Sequence, residues 1–333
     1  MDFQVSEDQR ALADGVRSFL TGRLPDEEIA RLAQSGSLDA GLWKELAELG
    51  VFSLQLDEDR GGIGLGFAEA VLVFAELGRR ATPGPLAWSH LAGAWIDDAA
   101  SGKTVVGGID RTGAHAADPL LVEHLDDLDV LLVIDEDAIR RLDARELEGQ
   151  AVAVPLDPLT PLHRVDRLPS GEKIGGPPEA AKFRQEGAAL AAAQLLGIAE
   201  ATLSLAVEYA KTREQFGRAI GGFQALKHMM ADMFVRQEVA RSAVYAAGAT
   251  LDDPEVGSIA RAVSSAKLVA GEAALKNAAT CIQIHGGMGF TWEVPAHYFL
   301  KRARVLECVF GTGPEHAERS ANLLAERAAG YEI

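Results

Sequence analysis

The chain has 333 residues, 48% hydrophobic, 24% charged and only 6% aromatic, with a net charge of −17. Such acidity excludes nucleic acid and anionic membrane surfaces as partners. The two cysteines, Cys281 and Cys308, make neither a disulfide framework nor a metal cluster.

Residues 1–102 predict a helical domain. Ser6 precedes EDQRALADGVRSFL, with acidic residues in the first turn and apolar spacing behind them, a good helix start. Further helices are predicted over 25–34, 38–49, 67–80 and 85–100. The polar, acidic MDFQVSEDQR does not read as a secretory leader, and no apolar run reaches the ~18–20 residues of a membrane span. A cytoplasmic setting is therefore expected. The glycine-rich run from Gly61 to Gly66 lacks the spacing and the preceding strand of a dinucleotide loop, and reads as a plain loop.

Residues 103–180 change character. TVVGGID, VLLVID (130–135) and QAVAVPLDP predict short strands, and the prolines from Pro155 to Pro178 disfavour long helices. Residues 181–333 return to helix, with long segments ending near Thr212, over 222–249 and over 255–284, then shorter ones over 294–305 and 314–328. Long antiparallel helices with short connections predict a four-helix bundle. The fold class is mainly α with a small β domain.

Two stretches of the last region carry the chemistry. YAKTREQFGRAIGGFQALKHMMADM (209–233) places Phe223, Leu226, Met229, Met230 and Phe234 at helical spacing, which predicts core packing for the methionines. Ahead of them, Arg213-Glu214-Gln215-Phe216-Gly217 falls at a helix end and the start of a turn. Taken alone, Arg213 is a solvated cation near the negative end of a helix dipole. Its guanidinium fork also suits a pyrophosphate, where a charge-assisted hydrogen bond contributes about 1.5–3 kcal/mol. The second stretch, QIHGGMGFTWEVP (283–295), has glycines that let backbone come close to a ligand. His228 and His285 have no partner at metal-ligand spacing and read as structural.

Together these stretches resemble the flavin-binding helical domain of the acyl-CoA dehydrogenase family. The order of helices, small β segment and helix bundle is similar to that family's architecture, and the EDRGGIGLGFAEA context resembles its N-terminal inter-helix loop. The resemblance implies flavin adenine dinucleotide (FAD) at a subunit interface. The isoalloxazine ring would lie against the β domain of one subunit, with pyrophosphate and adenine on the bundle of its neighbour. By this resemblance Arg213 is the pyrophosphate arginine, and Gln215 and Phe216 are adjacent flavin contacts. Gln283, Gly286 and Gly287 lie at the adenine end, and Gln224 is a weaker match from the same pattern. An acyl-CoA substrate and an electron-transferring flavoprotein as acceptor follow from the same resemblance.

The departures are as informative. Ordinary members carry a Thr-Glu-Pro-x-x-Gly-Ser-type and a Trp-Ile-Thr-type segment in the β domain, and residues 103–180 hold neither. The tryptophans are Trp43, Trp88, Trp95 and Trp292, all outside that region. α,β-Desaturation needs a carboxylate in an apolar pocket to take the α proton. Where many members place this Glu, the sequence reads VFGTGPEHAER, with Phe310 at the position. Where others place it, the ungapped match puts Gly187, with Glu186 one residue away and so turned by ~100°. Glu186 is a weak candidate base, and a solvated acid at a helix start is the simpler reading. Glu293 and Glu307 lie on exposed-looking patterns.

The half-site donated across an interface is thus retained, and the half-site used within the subunit is not. Short members of this kind resemble the base-less subunits of heteromeric (α2β2) acyl-CoA dehydrogenases of actinobacterial steroid degradation. There a homologous full-length subunit supplies the base and the flavin-ring pocket. Two other readings stay open: a self-sufficient homomeric dehydrogenase using Glu186, and a flavin-free scaffold or binding subunit.

Overall fold

The computed structural model describes residues 4–112 and 118–329, and all structural statements refer to these. The chain opens with α1 (Glu7–Arg23), which starts at Ser6 as predicted, and Ser6 and Gln9 form a capping box there. Then come α2 (Asp26–Ser35), α3 (Ala40–Glu48), α4 (Phe67–Arg79) and α5 (Leu86–Ala92). The predicted helix over 85–100 therefore stops early. Gly93 lies where an added Cβ would sit 2.9 Å from Phe52 O, and Asp98 takes a left-handed φ of 62°, so the chain turns instead of continuing. The Gly61–Gly66 run is a loop after a single 3-10 turn at Glu58–Arg60, as expected.

The middle segment holds more strands than the sequence indicates. They are β1 (Val106–Asp110), β2 (Leu120–Glu123), β3 (Val130–Ile134), β4 (Ile139–Asp143), β5 (Gln150–Ala151), β6 (Leu162–Val165) and β7 (Glu172–Gly175). One sheet runs β1-β3-β4-β7, with β1 and β3 parallel in the register Val106 to Val130. The other runs β2-β6-β5. Only two residues of QAVAVPLDP are strand: Val152 N still donates to Leu162 O at 2.8 Å, but the prolines beyond it cannot donate. β4, with the sequence IRRLD, escapes a hydrophobicity pattern because Arg140 and Arg141 interrupt it. Ile109, Val122, Leu131, Val133, Leu142 and Val165 fill a small separate core in this segment.

The bundle begins earlier than predicted. α6 runs Pro177–Thr212, and the two prolines open it, since N1 needs no backbone donor. It is followed by a two-residue hairpin, β8 (Glu214–Gln215) and β9 (Arg218–Ala219), then α7 (Gln224–Asp252), α8 (Ile259–His285), α9 (Ala296–Cys308) and α10 (Gly313–Ala329). By length and composition α6 would cross a membrane, against the expectation that no such segment exists. The apolar window is 78% buried inside this structure, because a central bundle helix has neighbours on every side. Small residues permit that centrality: a Cβ on Gly78 of α4 would sit 2.0 Å from Gln194 O, and one on Gly197 of α6 1.9 Å from Ala75 O. Met229, Met230 and Met233 pack in a core cluster, as predicted, but Phe234 is 52% exposed and leaves that face.

Candidate functional site

Arg213 caps α6 with its N–H donating to Tyr209 O at 2.9 Å. The chain then reverses through Phe216 (φ 54°) and Gly217 (φ 75°), both left-handed, which is the backbone a two-residue hairpin turn requires. A bulky aromatic at positive φ is strained. Phe216 nevertheless points outward and is 90% exposed. Its ring meets only Phe223, edge on at 6.1 Å, while Arg218 stacks over that same Phe223 ring at 4.1 Å. Gln215 donates only to the neighbouring Glu214 O. The Arg213 guanidinium is exposed and has no partner among the described residues.

The second motif arrives at the same end of the bundle. α8 closes at His285, which stacks on Tyr209 of α6 at 4.2 Å and lies 2.8 Å from Cys281 O. Burial pushes the Cys281 thiol up to about 12, so it is an inert packing residue. Ile220 and Phe223 from the hairpin side share one core cluster with Ile282 and Ile284. Arg213, Gln215, Phe216 and the first-turn Gln224 therefore share this end with Gln283, Gly286 and Gly287. Gln224 and Gln283 are exposed. A Cβ built on Gly286 or Gly287 meets nothing within 4 Å, so both glycines front open space that a side chain would enter. Phe290 (82% exposed) and Trp292 (67%), the latter with Lys301 Nζ 4.6 Å over its ring, extend this surface. An unpaired guanidinium, outward amides, open backbone and bare rings fit an elongated ligand with a diphosphate and an aromatic end.

The two positions where a catalytic base is expected face each other and are filled. Phe310, 2% exposed, lies where a Cβ on Gly187 would be 2.5 Å from its ring. Its centroid is 4.4 Å from Trp88 and 6.3 Å from Phe183. Phe310 (φ 57°) and Gly311 (φ 101°) make a left-handed turn, and buried polar groups hold it. Lys267 Nζ donates to Glu307 O at 2.9 Å and Gly311 O at 2.8 Å. His316 Nε2 lies 3.0 Å from Phe310 O and its Nδ1 3.1 Å from Ser264 Oγ. Burial holds His316 down to about 4, so the neutral ring donates from Nε2 and accepts at Nδ1. None of these supporting groups carries a local sequence signal, because each acts through a residue 40 or more positions away or across a turn.

Glu186 departs from the simpler expectation. It is not a solvated acid at a helix start: its side chain is 14% exposed, ten residues into α6, with Lys182 Nζ 3.6 Å away. Burial raises its carboxyl to about 7. It lines a cavity of about 390 Å³ with residues of α5 and of the loop after α3. A second cavity, about 470 Å³, lies among α6, α8 and α10, lined by Ala181, Arg184, Gln185 and Ala188 of α6 with Ser264 and His316, and bordered at one edge by Thr112. At about 100° per residue, positions 182, 183 and 186 and positions 181, 184, 185 and 188 lie on opposite faces of α6. Arg184 is committed at the second face, 3.0 Å from Asp110 Oδ1 and donating to Asp135 O. Glu293 is exposed, and Glu307 accepts from Gly313 N at 2.9 Å.

Residues 6–101 match the family model described as acyl-CoA dehydrogenase, N-terminal domain, and residues 178–327 match acyl-CoA dehydrogenase, C-terminal domain. The chain is 36% identical over 303 residues to acyl-CoA dehydrogenase IpdE2 of Mycobacterium tuberculosis, covering 89% of this chain and 91% of that protein. A 30% identical relative from Mycolicibacterium smegmatis bears the same name and is covered over 98% of its length. In three dimensions the chain is similar to a chain of the ChsE4–ChsE5 complex from Mycobacterium tuberculosis, with TM-score 0.86, 25% identity, and 98% and 99% coverage. With both terminal domains matched and relatives aligned end to end, the chain belongs to the acyl-CoA dehydrogenase family of oxidoreductases.

Proposed function

We propose that this chain is a subunit of a heteromeric, flavin-dependent acyl-CoA dehydrogenase. It donates pyrophosphate and adenine contacts to FAD across an interface and leaves the base and flavin-ring pocket to a homologous full-length partner. Bound flavin supplies the hydride acceptor for α,β-desaturation of a CoA thioester. Arg213 would pair with the pyrophosphate, and Gln215, Phe216 and Gln224 would flank it. Gln283 and the open backbone at Gly286 and Gly287 would meet the adenine end. In this reading residues 1–102 and 103–180 are the scaffold, and 181–333 carry the donated half-site.

The observation that carries the reading is an asymmetry. The donated residues stand free at the surface, whereas the base position is a closed contact between Phe310 and Gly187. Glu186 has the raised pKa of a base, but it stands one residue away from Gly187, the position where the base is expected and where the Phe310 ring closes the space. That placement disfavours the homomeric reading. A cytoplasmic α2β2 assembly, an acceptor flavoprotein and a bulky, steroid-derived acyl group complete the proposal by analogy with the heteromeric members the chain resembles.

Purification alone and with a co-expressed full-length homologue tests it. The expected result is a colourless chain alone and a yellow complex that desaturates acyl-CoA. Flavin absorbance together with desaturation by the solo chain would sink the proposal. In the complex, Arg213→Ala should reduce flavin occupancy about tenfold or more, as loss of a charge-assisted pair implies.

A further inference from the structure

Arg218 stands just after the Arg213–Gly217 motif, and the hairpin makes it a neighbour of Arg213. Gln215 of β8 pairs with Arg218 of β9 across the two-residue turn. Ile220 N donates to Arg213 O at 2.8 Å, so the ladder continues one step further. Directly paired residues point to one face of a hairpin, and successive residues alternate. Arg213, Gln215 and Arg218 therefore share a face. Glu214, the one acid between positions 213 and 223, pairs with Ala219 and points to the other face. Arg213 and Arg218 are diagonal neighbours, about 7–8 Å apart in such a ladder, which is within reach of one ligand for side chains of this length.

The Arg218 side chain is also held in place. Its stem crosses the backbone of Gly222, where a Cβ would sit 3.6 Å from Cδ, and its guanidinium stacks on Phe223 at 4.1 Å from the ring centroid. Stacking occupies the flat face of a guanidinium and leaves the N–H groups around its edge open. Among the described residues Arg218 has neither a hydrogen-bond acceptor nor a counter-ion. In a chain of net charge −17, two neighbouring guanidiniums with no carboxylate on their face mark a place for an anion.

We propose that Arg218 is the second arm of a diphosphate clamp, in which Arg213 takes one phosphoryl group and Arg218 the other, with Gln215 between them. The assignment rests on the flavin reading of this surface and adds the residue that recognises a diphosphate in particular. A guanidinium offers two parallel donors to a phosphoryl group, and two guanidiniums match the two phosphates of a dinucleotide. The stack on Phe223 orders the Arg218 side chain before a ligand arrives, which reduces the entropy lost on binding.

Titration of the flavin-stripped complex with FAD, using ADP and adenosine as competitors, tests this. In Arg218→Gln, FAD and ADP should each bind about tenfold more weakly, while adenosine, which has no phosphate, keeps its affinity. Arg218→Lys keeps the charge without the fork and should lose about threefold. Circular dichroism confirms that each variant is folded. Unchanged FAD affinity in Arg218→Gln would overturn the assignment, and a loss in Arg213→Ala beside it would leave the flavin reading standing. An equal loss for adenosine, which marks a packing residue only, or a lysine variant as weak as the glutamine one, would also overturn it. A parent complex that takes up no FAD would overturn the assignment together with the reading it rests on.

Discussion

Glu186 shows how one side chain couples to the energetics of the whole chain. Burial raises its carboxyl from 4.5 to about 7, with Lys182 opposing the shift only weakly from its exposed position. A folded-state pKa above the unfolded one means that the folded chain holds the extra proton between those two values. Stability therefore falls as pH rises through that window, and the full penalty, about 3 kcal/mol, applies above it. Glu186→Gln removes the penalty. The variant should exceed the parent in stability by about that amount near pH 8. The gap should close near pH 4.5, as followed by urea midpoints. At this scale the sequence was legible in residue type and motif, as in Arg213-Glu214-Gln215-Phe216-Gly217, which the structure places at an exposed hairpin, and Phe310, which it buries. Glu186 was misread because its burial comes from α5 and the loop at 52–56, which no local pattern relates to α6.

Helix packing sets the next scale. α6 contacts α4 through glycines at crossing points, where backbone carbonyls occupy the space of a Cβ. Gly197→Ala should force the two helices apart and cost about 3 kcal/mol, read from denaturant midpoints. Gly15 in α1 is the contrast: an added Cβ there meets nothing within 4 Å, so Gly15→Ala should stabilise by about 0.5–1 kcal/mol. Glycine content alone does not separate the two cases, since only the partner element reveals the close approach. Helix starts with a local cause were readable, such as the Ser6 capping box. The charged strand β4 and the early stop of α5 were not, because sheet neighbours and the contact at Gly93 decide them.

At the scale of the molecule, the β segment is tied to the bundle by a buried pair. Arg302 Nε of α9 lies 2.7 Å from Asp157 Oδ2, with exposures of 4% and 0%, though the N–H is not aimed for a good hydrogen bond. The Arg302 guanidinium also donates to Leu159 O at 3.1 Å. Asp157→Ala would remove the carboxylate paired with the buried guanidinium and should cost about 3 kcal/mol, measurable as a lowered urea midpoint.

The sequence by itself determined the helical domains, the small β region between them, the family, and the run of residues at the surface proposed for flavin. These depend on periodicity, capping and short motifs, in which the interacting residues lie within a few positions of one another. Only the tertiary structure decided that Gly187 and Phe310 close on each other. It also decided that the hairpin and the end of α8 share one surface, and that Glu186 opens on a separate cavity. Each of these joins residues far apart in the chain, and it is the packing of α6 against α4, α5, α7 and α8 that brings them together.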